Sequence, residues 1–534
     1  MVFSAAGRPA TPPPPSGQRQ AGSLLAACLA VCVAQIGLVL PAAINGVLQQ
    51  TLHTSGSELT WISDAFLVPA AILELTFGVL GDLFGRKRLL VGGGVVAAVG
   101  YLVSATAGSA PQLIAGQAIS GIGAAALFPA SLAMVAALTP TPRTRARGLA
   151  SWTTALSLGA FIAPLLSGAI VEYASYRWAF AGVGVLALAS AVVSLLVARE
   201  SSAPQGRSLD WPGQLTIAGA LLALLYGVVQ GPADGWGAPQ IVAAFAAALL
   251  LLAAFVAVEL RAAAPMLHLD LFRIPAFAAA AAASVIGMFA FLGGAYDLSI
   301  RVGAIEHQIP LRAAVPFLII QGVTPFVWPL LVRLLHRVSP GPVLVAGFTV
   351  IAGGQLWLAG IPATDTSLTT LIGPAILNGL GFGLVVSAMT AAVVNTAPAA
   401  LAGMASATAS LVRDLGQTLG PAVIGAIALS IAGSRLAGSL ATAGLTAGEQ
   451  HLVGAVAAQG GPLAVLSAPL GPVSAKAAPL AAAALAHGYD VGLVVTAIAC
   501  LVAAVIAGVF LRGRPSAAEP GAEPASAAGT LTAR

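Results

Sequence analysis

Charge is what this 534-residue chain has least of. Its 23 Lys and Arg and 18 Asp and Glu make up 8% of the residues, where a water-soluble domain carries about 25%. Lysine is almost missing: Lys87 and Lys476 are the only two, and neither stands in a Gly-Lys-Ser/Thr sequence. A phosphate-binding loop needs that lysine to reach the phosphates, so no P-loop for ATP is present. There are three cysteines, Cys28, Cys32 and Cys500, all inside apolar runs. An odd, buried set builds no disulfide framework and reads as small apolar packing. The six histidines are scattered without metal-ligand spacing. No metal, cofactor or catalytic constellation is expected. The net charge of +5 sits in short arginine clusters between apolar runs, which is not the basic face that grips nucleic acid.

What is there is apolar: 58% hydrophobic residues and a mean hydropathy of +0.95. A soluble globule cannot hide that much apolar surface. Soluble enzymes, disordered scaffolds and nucleic-acid binders are therefore excluded, and runs of about 20 apolar residues point to membrane helices rather than a barrel. The charges act as a ruler. Between Arg147 and Glu172 lie 24 uncharged residues, between Arg273 and Asp297 23, and between Asp490 and Arg512 21. Each gap holds one span, and the wider gap from Arg88 to Arg143 holds two, divided at Pro111. With a first hairpin at roughly 22–48 and 59–80, the count reaches about 14 spans. Of the 23 Lys and Arg, 17 fall on the side of the N-terminus, five on the other, and Arg413 lies within a span. Both termini are thus expected in the cytoplasm of a multi-pass cell-membrane protein. The Pro-rich start is no cleavable signal, because the apolar run after it is too long and leads straight into a second span.

The loop after the second span reads Gly78-Val-Leu-Gly-Asp82-Leu-Phe-Gly85-Arg86-Lys87-Arg88. Glycines permit the tight turn, and Asp82 at the helix end can pair with an arginine or cap the next helix. Basic residues alone would be a topology signal. The Gly-x3-Asp-x2-Gly-Arg-Lys-Arg spacing is more specific, and it resembles the loop signature of the major facilitator superfamily. The span count is similar to that of its drug:proton antiporter branch. Gly121-Ile-Gly123 through Pro129, Tyr176-Arg177-Trp178, Asp210-Trp211-Pro212-Gly213, Leu271-Phe272-Arg273 and Gly403-Met404 followed by Arg413-Asp414 resemble further family segments. So does Gly159-x3-Ala163-Pro164-x2-Ser167-Gly168, similar to the antiporter motif of the fifth span. The resemblance covers about residues 22–432 and the last helix.

It implies an all-α membrane protein: two pseudo-symmetric six-helix bundles with an inserted helix pair, 14 transmembrane helices in all. The divisions would be a tail at 1–21, a bundle at 22–198, the inserted pair with linkers at 199–274, a bundle at 275–512 and a tail at 513–534. The second bundle includes an outer loop, 434–488, where Gly460-Gly461-Pro462, Pro469 and Pro472 argue against a further span. The implied function is secondary export of small hydrophobic or cationic compounds by proton antiport with alternating access. The partners would be a small-molecule substrate, protons and the lipid bilayer, without nucleic acid or ATP, and the protein would act as a monomer. Gly78, Asp82, Gly85, Arg86, Lys87 and Arg88 would gate the cytoplasmic side. Gly159, Ala163 and Ser167, four apart, leave one helix face small enough for close packing, and Pro164 bends that helix. The resemblance adds a sealing role.

Two positions depart from the family. An aspartate of the first span is replaced by Gly37, and an arginine of the fourth by Gln117. Both are associated with proton coupling in the family. Replacements are available in Asp64 and Glu74 on the second span, about 15 Å apart along the helix and roughly 80° around it. Intramembrane carboxylates are costly and mark functional sites. Asp64 also reads as an interfacial residue near Trp61, and Glu74 as a structural pair with a neighbouring helix. Gln35, Asn45 and Gln49 share an arc of the first span. With Gln117, Arg413 and Asp414 they supply candidate polar groups for a cavity. Arg413 and Asp414, being adjacent, point about 100° apart. Asp297 and Arg301, four apart, read as a surface pair at an outer helix end. An uncoupled facilitator, or a transporter of neutral or zwitterionic solutes, is the alternative. A transport-inactive sensor or assembly protein is another, against which the intact gating loop argues.

Overall fold

Without water to satisfy peptide groups, an apolar run in a bilayer must close its hydrogen bonds within itself, which makes it a helix. The computed structural model describes residues 17–139, 142–202, 209–262, 265, 267, 269–335, 338–397 and 402–511. Among them are sixteen α-helices and no strand. They are α1 (Gly17–Ala43), α2 (Asn45–Leu52), α3 (Gly56–Phe84), α4 (Arg86–Ala105), α5 (Ala110–Leu138), α6 (Pro142–Tyr173), α7 (Tyr176–Val197) and α8 (Trp211–Asp234). There follow α9 (Pro239–Glu259), α10 (Pro275–Ile300), α11 (Pro310–Leu335), α12 (Pro340–Ala359), α13 (Leu368–Thr396), α14 (Ala402–Thr442), α15 (Ala447–Ser467) and α16 (Ser474–Phe510). Prolines stand in the first turns of α5, α8, α9, α10 and α12, where no backbone N–H is needed. Ser55 and Glu58 close a capping box on α3.

Among the described residues, thirteen helices are long and apolar enough to cross a membrane. Counting the 26-residue α11 with them gives fourteen; the eight-residue α2 and the 21-residue α15 are set apart from this series. Because fourteen spans alternate in direction, both ends of the described chain lie on one face, termed here the terminal face. The other is the distal face. One buried cluster gathers apolar residues of α1 and α3–α7, and a second gathers those of α10–α14 and α16. At the distal end the first cluster also takes in Tyr296, Ile300, Leu485 and Tyr489 from the second bundle. A third cluster sets Leu221, Leu225 and Val229 of α8 against Val68 of α3 and Ala422 of α14. The pair α8–α9 therefore lies along the seam between the bundles.

Two elements differ from the sequence reading. The first span does not run unbroken to residue 48: with Pro41 in its last turn, α1 ends at Ala43 and α2 runs from Asn45 to Leu52, followed by His53 at φ 52°. The 434–488 segment is largely helical rather than an irregular loop. Gly461 adopts φ 69° and ψ −169°, which breaks α15 into two helical pieces at Gly460-Gly461-Pro462. The distal parts of α14 and α16 rise with α15 around their own apolar cluster, including Leu436, Leu445, Val453 and Val465. This cap sits on the distal face.

Candidate functional site

The seam between the bundles is bonded from its distal end to its middle. At the top, the backbones of Gly46 in α2 and Gly303, in the π-helical turn after α10, touch so closely that a Cβ on Gly46 would overlap the Gly303 backbone. Asn45 Nδ2 donates to Ser299 Oγ at 3.1 Å, and the Ser299 hydroxyl donates to the Ala42 carbonyl. Gln49 Nε2 reaches the Leu463 carbonyl of the cap at 3.4 Å. One level down, the hydroxyls of Thr60 on α3 and Tyr296 on α10 share a 2.8 Å hydrogen bond. Asn45 and Gln49 are thus seam residues, each with one amide oxygen lacking a partner among the described residues. Gln35, expected beside them, sits lower on α1, against Gly159 of α6.

At mid-depth the seam carries charge. Arg413 on α14 donates from Nε to Asp414 Oδ1 at 2.9 Å, and its guanidinium lies 3.7 Å from Glu74 Oε2 on α3. Side-chain exposures are 30% for Arg413, 13% for Glu74 and 14% for Asp414, so the cluster is mostly shielded. The two neighbours expected to diverge therefore pair directly, and together they meet a carboxylate of the other bundle. This is the structural-pair alternative for Glu74, with the partner across the seam. Gln214 of α8 clamps α3 on both sides of Glu74: its Nε2 donates to the Ile72 carbonyl at 2.6 Å and its oxygen accepts from the Thr76 hydroxyl. The sequence reading passed over Gln214, although a buried amide in an apolar span is a visible signal.

Asp64 is fully buried, and neither carboxylate oxygen has a hydrogen-bond partner among the described residues. Its reading as an interfacial residue is corrected. It sits one helical turn from Thr60. Gln117 does not reach the seam; it bonds Ser104 of α4 from within the first bundle at 3.1 Å. At Gly37 the missing side chain has a substitute. A Cβ there would fall on the hydroxyl of Tyr101 from α4, a buried group with no hydrogen-bond partner among the described residues. The sequence reading did not single out Tyr101.

The loop residues hold together as a turn. Arg86 donates to Asp82 at 2.8 Å, Gly85 takes φ 110°, and Glu200 from the segment after α7 accepts from the Lys87 N–H at 3.0 Å and lies 3.8 Å from Arg88. Gly78 faces Pro129 of α5. On α6, Gly159 packs on the Cys32 backbone of α1. Ala163 is buried, and Ser167 bonds the Ala163 carbonyl at 2.7 Å. Gly168 meets Pro310 and Ala314 of α11 in the other bundle. Gly403 and Met404 lie among residues whose side chains are not described.

Asp297 and Arg301 correct another expectation. They are 0% and 2% exposed and do not pair with each other. Arg301 bonds Glu306 from Nε at 2.9 Å and gives its other nitrogens to the carbonyls of Leu358, Ile361 and Pro362. Burial pushes the Glu306 carboxyl up, and the Arg301 bond opposes that shift. The signal was present in the sequence as charges inside an apolar segment, but helical spacing supplied a surface explanation. Among the described residues no group of three His, Cys, Asp or Glu side chains could hold a metal.

The family model of the Major Facilitator Superfamily matches residues 25–421. The tetracenomycin C resistance and export protein of Streptomyces glaucescens is 28% identical over 414 residues, 77% of this chain and 76% of that protein. The multidrug efflux pump LfrA of Mycolicibacterium smegmatis is 27% identical over 472 residues, covering 87% of this chain and 91% of its own. A solved bacterial homologue of the human lysosomal transporter Spinster, inward-facing and unoccupied, aligns with a TM-score of 0.66 at 15% identity. That alignment covers 94% of this chain and all of the other.

Proposed function

The chain belongs to the major facilitator superfamily, and from that membership we propose that it exports small hydrophobic or cationic compounds across the cell membrane by proton antiport. The observation that carries the reading is the Glu74–Arg413–Asp414 cluster spanning the seam. A rocking transporter must break and remake its seam, so a charge bridge there is a natural coupling point. A proton on Glu74 cancels its attraction to Arg413, and a cationic substrate competes for the same carboxylates. Either event biases the balance between the two facing states. Export and efflux in the names of these relatives support the direction.

The arginine-rich terminal face is cytoplasmic in this reading, and the seam bonds at the distal end describe a conformation closed to the outside. Asp82 and Arg86 gate the cytoplasmic side, and the small face of α6 seals the seam against α11. The protein works as a monomer, with protons and substrate as partners and without ATP or nucleic acid. A second reading, an uncoupled facilitator, is favoured by one observation: neutral Tyr101 fills the space beside Gly37, a position charged in the family.

The test is flux in inverted membrane vesicles under an imposed pH gradient, with ethidium as the cationic probe. Antiport predicts ethidium-dependent proton release in the wild type and its loss in Glu74→Gln. Ethidium movement without proton flux, equal in both proteins, refutes coupling and selects the facilitator.

A further inference from the structure

We propose that Asp297 is a second proton-binding residue, which with Asp64 forms a proton-operated latch on the distal seam. The inference rests on the export reading but names residues and a conformational step that reading does not use. Asp64 on α3 and Asp297 on α10 come from opposite bundles, and both are 0% exposed. All four of their carboxylate oxygens lack a hydrogen-bond partner among the described residues. They flank the same hydroxyl, that of Tyr296, which bonds Thr60 one turn from Asp64 and stands next to Asp297 in sequence.

The surroundings of Asp297 explain why no cation neutralises it. Asp297 packs against Gly492 of α16, where a Cβ would come within 2.6 Å of its Oδ2. Tyr489 and Asp490 of α16 also face it, and Tyr489 is buried. The cation within electrostatic reach is Arg301. Glu306 and three backbone carbonyls take its hydrogen bonds, and Asp490 lies 3.8 Å away. From α14 the neighbourhood receives Gly425 against Thr60 and Tyr296, and Ile424 beside Gly492. The Gln355 amide of α12 is spent on the Ala290 carbonyl.

Two ionised carboxylates shut away from water would each lose their hydration, and Asp297 would also face Asp490. Two neutral carboxyls incur neither penalty. When the distal face opens, water reaches both groups and they ionise. Closing it again requires each to take a proton from the distal side. Proton loading thus licenses the closed distal face, in the order an exporter driven by inward proton flow needs.

The test reads the distal gap directly and needs no substrate. Spin labels are placed at Ser109→Cys and Thr366→Cys, exposed sites on the distal loops of the two bundles, in full-length protein with its native cysteines replaced, reconstituted in lipid nanodiscs. The pulsed-resonance distance is followed from acid to alkaline pH. In the wild type the gap opens as pH rises, with a steepness of about two protons. Asp64→Asn and Asp297→Asn each reduce it to about one, and the double variant stays closed throughout, because steepness counts the protons exchanged. Asp297→Glu keeps the two-proton response, which separates proton binding from packing. A wild-type steepness in Asp297→Asn, a double variant that still opens, or a wild type that ignores pH overturns the latch. Failure of ethidium export with an intact two-proton response would instead sink the export reading and leave the latch standing.

Discussion

Removing Arg413 tests whether the mid-seam charges act as one network. In Arg413→Met, Glu74 and Asp414 remain, 13% and 14% exposed, without their cation. At the 3.7 Å separation from Glu74, an effective dielectric of about 20 gives a Coulomb attraction of about 4 kcal/mol. The 2.9 Å bond to Asp414 adds about 1.5–3 kcal/mol as a charge-assisted hydrogen bond. Part of this is offset by the cost of drying the guanidinium, and its 30% exposure screens more of it. Breaking a buried pair from one side costs about 3–5 kcal/mol, and the lower end applies here. The apparent melting temperature of purified protein in detergent, followed by tryptophan fluorescence, should fall by several degrees. The triple change Glu74→Gln, Arg413→Met, Asp414→Asn should recover most of that loss, to within about 1 kcal/mol of the wild type, because no unpaired charge remains. If the triple variant is less stable than Arg413→Met alone, the three residues contribute separately and the network is refuted.

Gly85→Ala should cost about 1–2 kcal/mol, because φ 110° is a left-handed conformation that a Cβ resists. Its added methyl also meets the Glu200 carboxylate, so faster protease cleavage at Lys87 is expected. Tyr101→Phe removes a buried hydroxyl that has no hydrogen-bond partner among the described residues, so the melting temperature should hold or rise, by up to about 1 kcal/mol in stability; a clear fall would reveal a partner. In the cap, bonds from the Thr446 N–H and hydroxyl hold the Glu449 carboxyl below its ordinary value. A depressed carboxyl stabilises the folded form above its ordinary range and loses that effect as pH falls through the lowered value. Protection of the amides at the start of α15, relative to their intrinsic exchange rates, should therefore fall in acid, and Glu449→Gln should remove that fall.

The helical skeleton was legible because the rule that writes it is local: an uncharged run of the right length becomes a helix whatever its neighbours are. The same rule misread two places. Pro41 and Asn45 fall in one apolar run, yet the helix breaks between them so that α2 can lie against Gly303. Gly460-Gly461-Pro462 reads as a chain breaker and does break the helix at Gly461, yet helix resumes on both sides of it. The candidate site was legible as a set of residue types and not as partners. Glu74 and Arg413 are far apart in sequence, so their pairing across the seam depends on two bundles packing face to face. Asp297 was misassigned for the opposite reason. Arg301 stands four residues away and offered a sufficient local partner, whereas the fold commits that arginine to Glu306 and the α12–α13 turn.

The placement of polar groups follows from what each interface has to do. Contacts inside a bundle can stay closed, and there small residues bring backbones together around apolar clusters, as where Gly159 meets Cys32. In the proposed export cycle the seam between bundles has to open to water and close again. Were it lined with Leu and Phe, each opening would expose apolar surface at about 25 cal/mol per Å², and one closed state would dominate. Where the seam is built of hydroxyls, amides, glycines and carboxylates between apolar residues such as Ile300 and Leu485, it exchanges internal hydrogen bonds for bonds to water at a net cost of about 1 kcal/mol each. Asn45–Ser299, Thr60–Tyr296, Gly46–Gly303 and Glu74–Arg413 fit that requirement at successive depths. It follows that Thr60→Val with Tyr296→Phe, which keeps the shape but greases the seam, should slow opening of the distal gap more than it changes the melting temperature. The spin-labelled pair reads that opening. If the doubly apolar seam opens at the wild-type pH and to the wild-type extent, seam polarity does not set the balance between the two states.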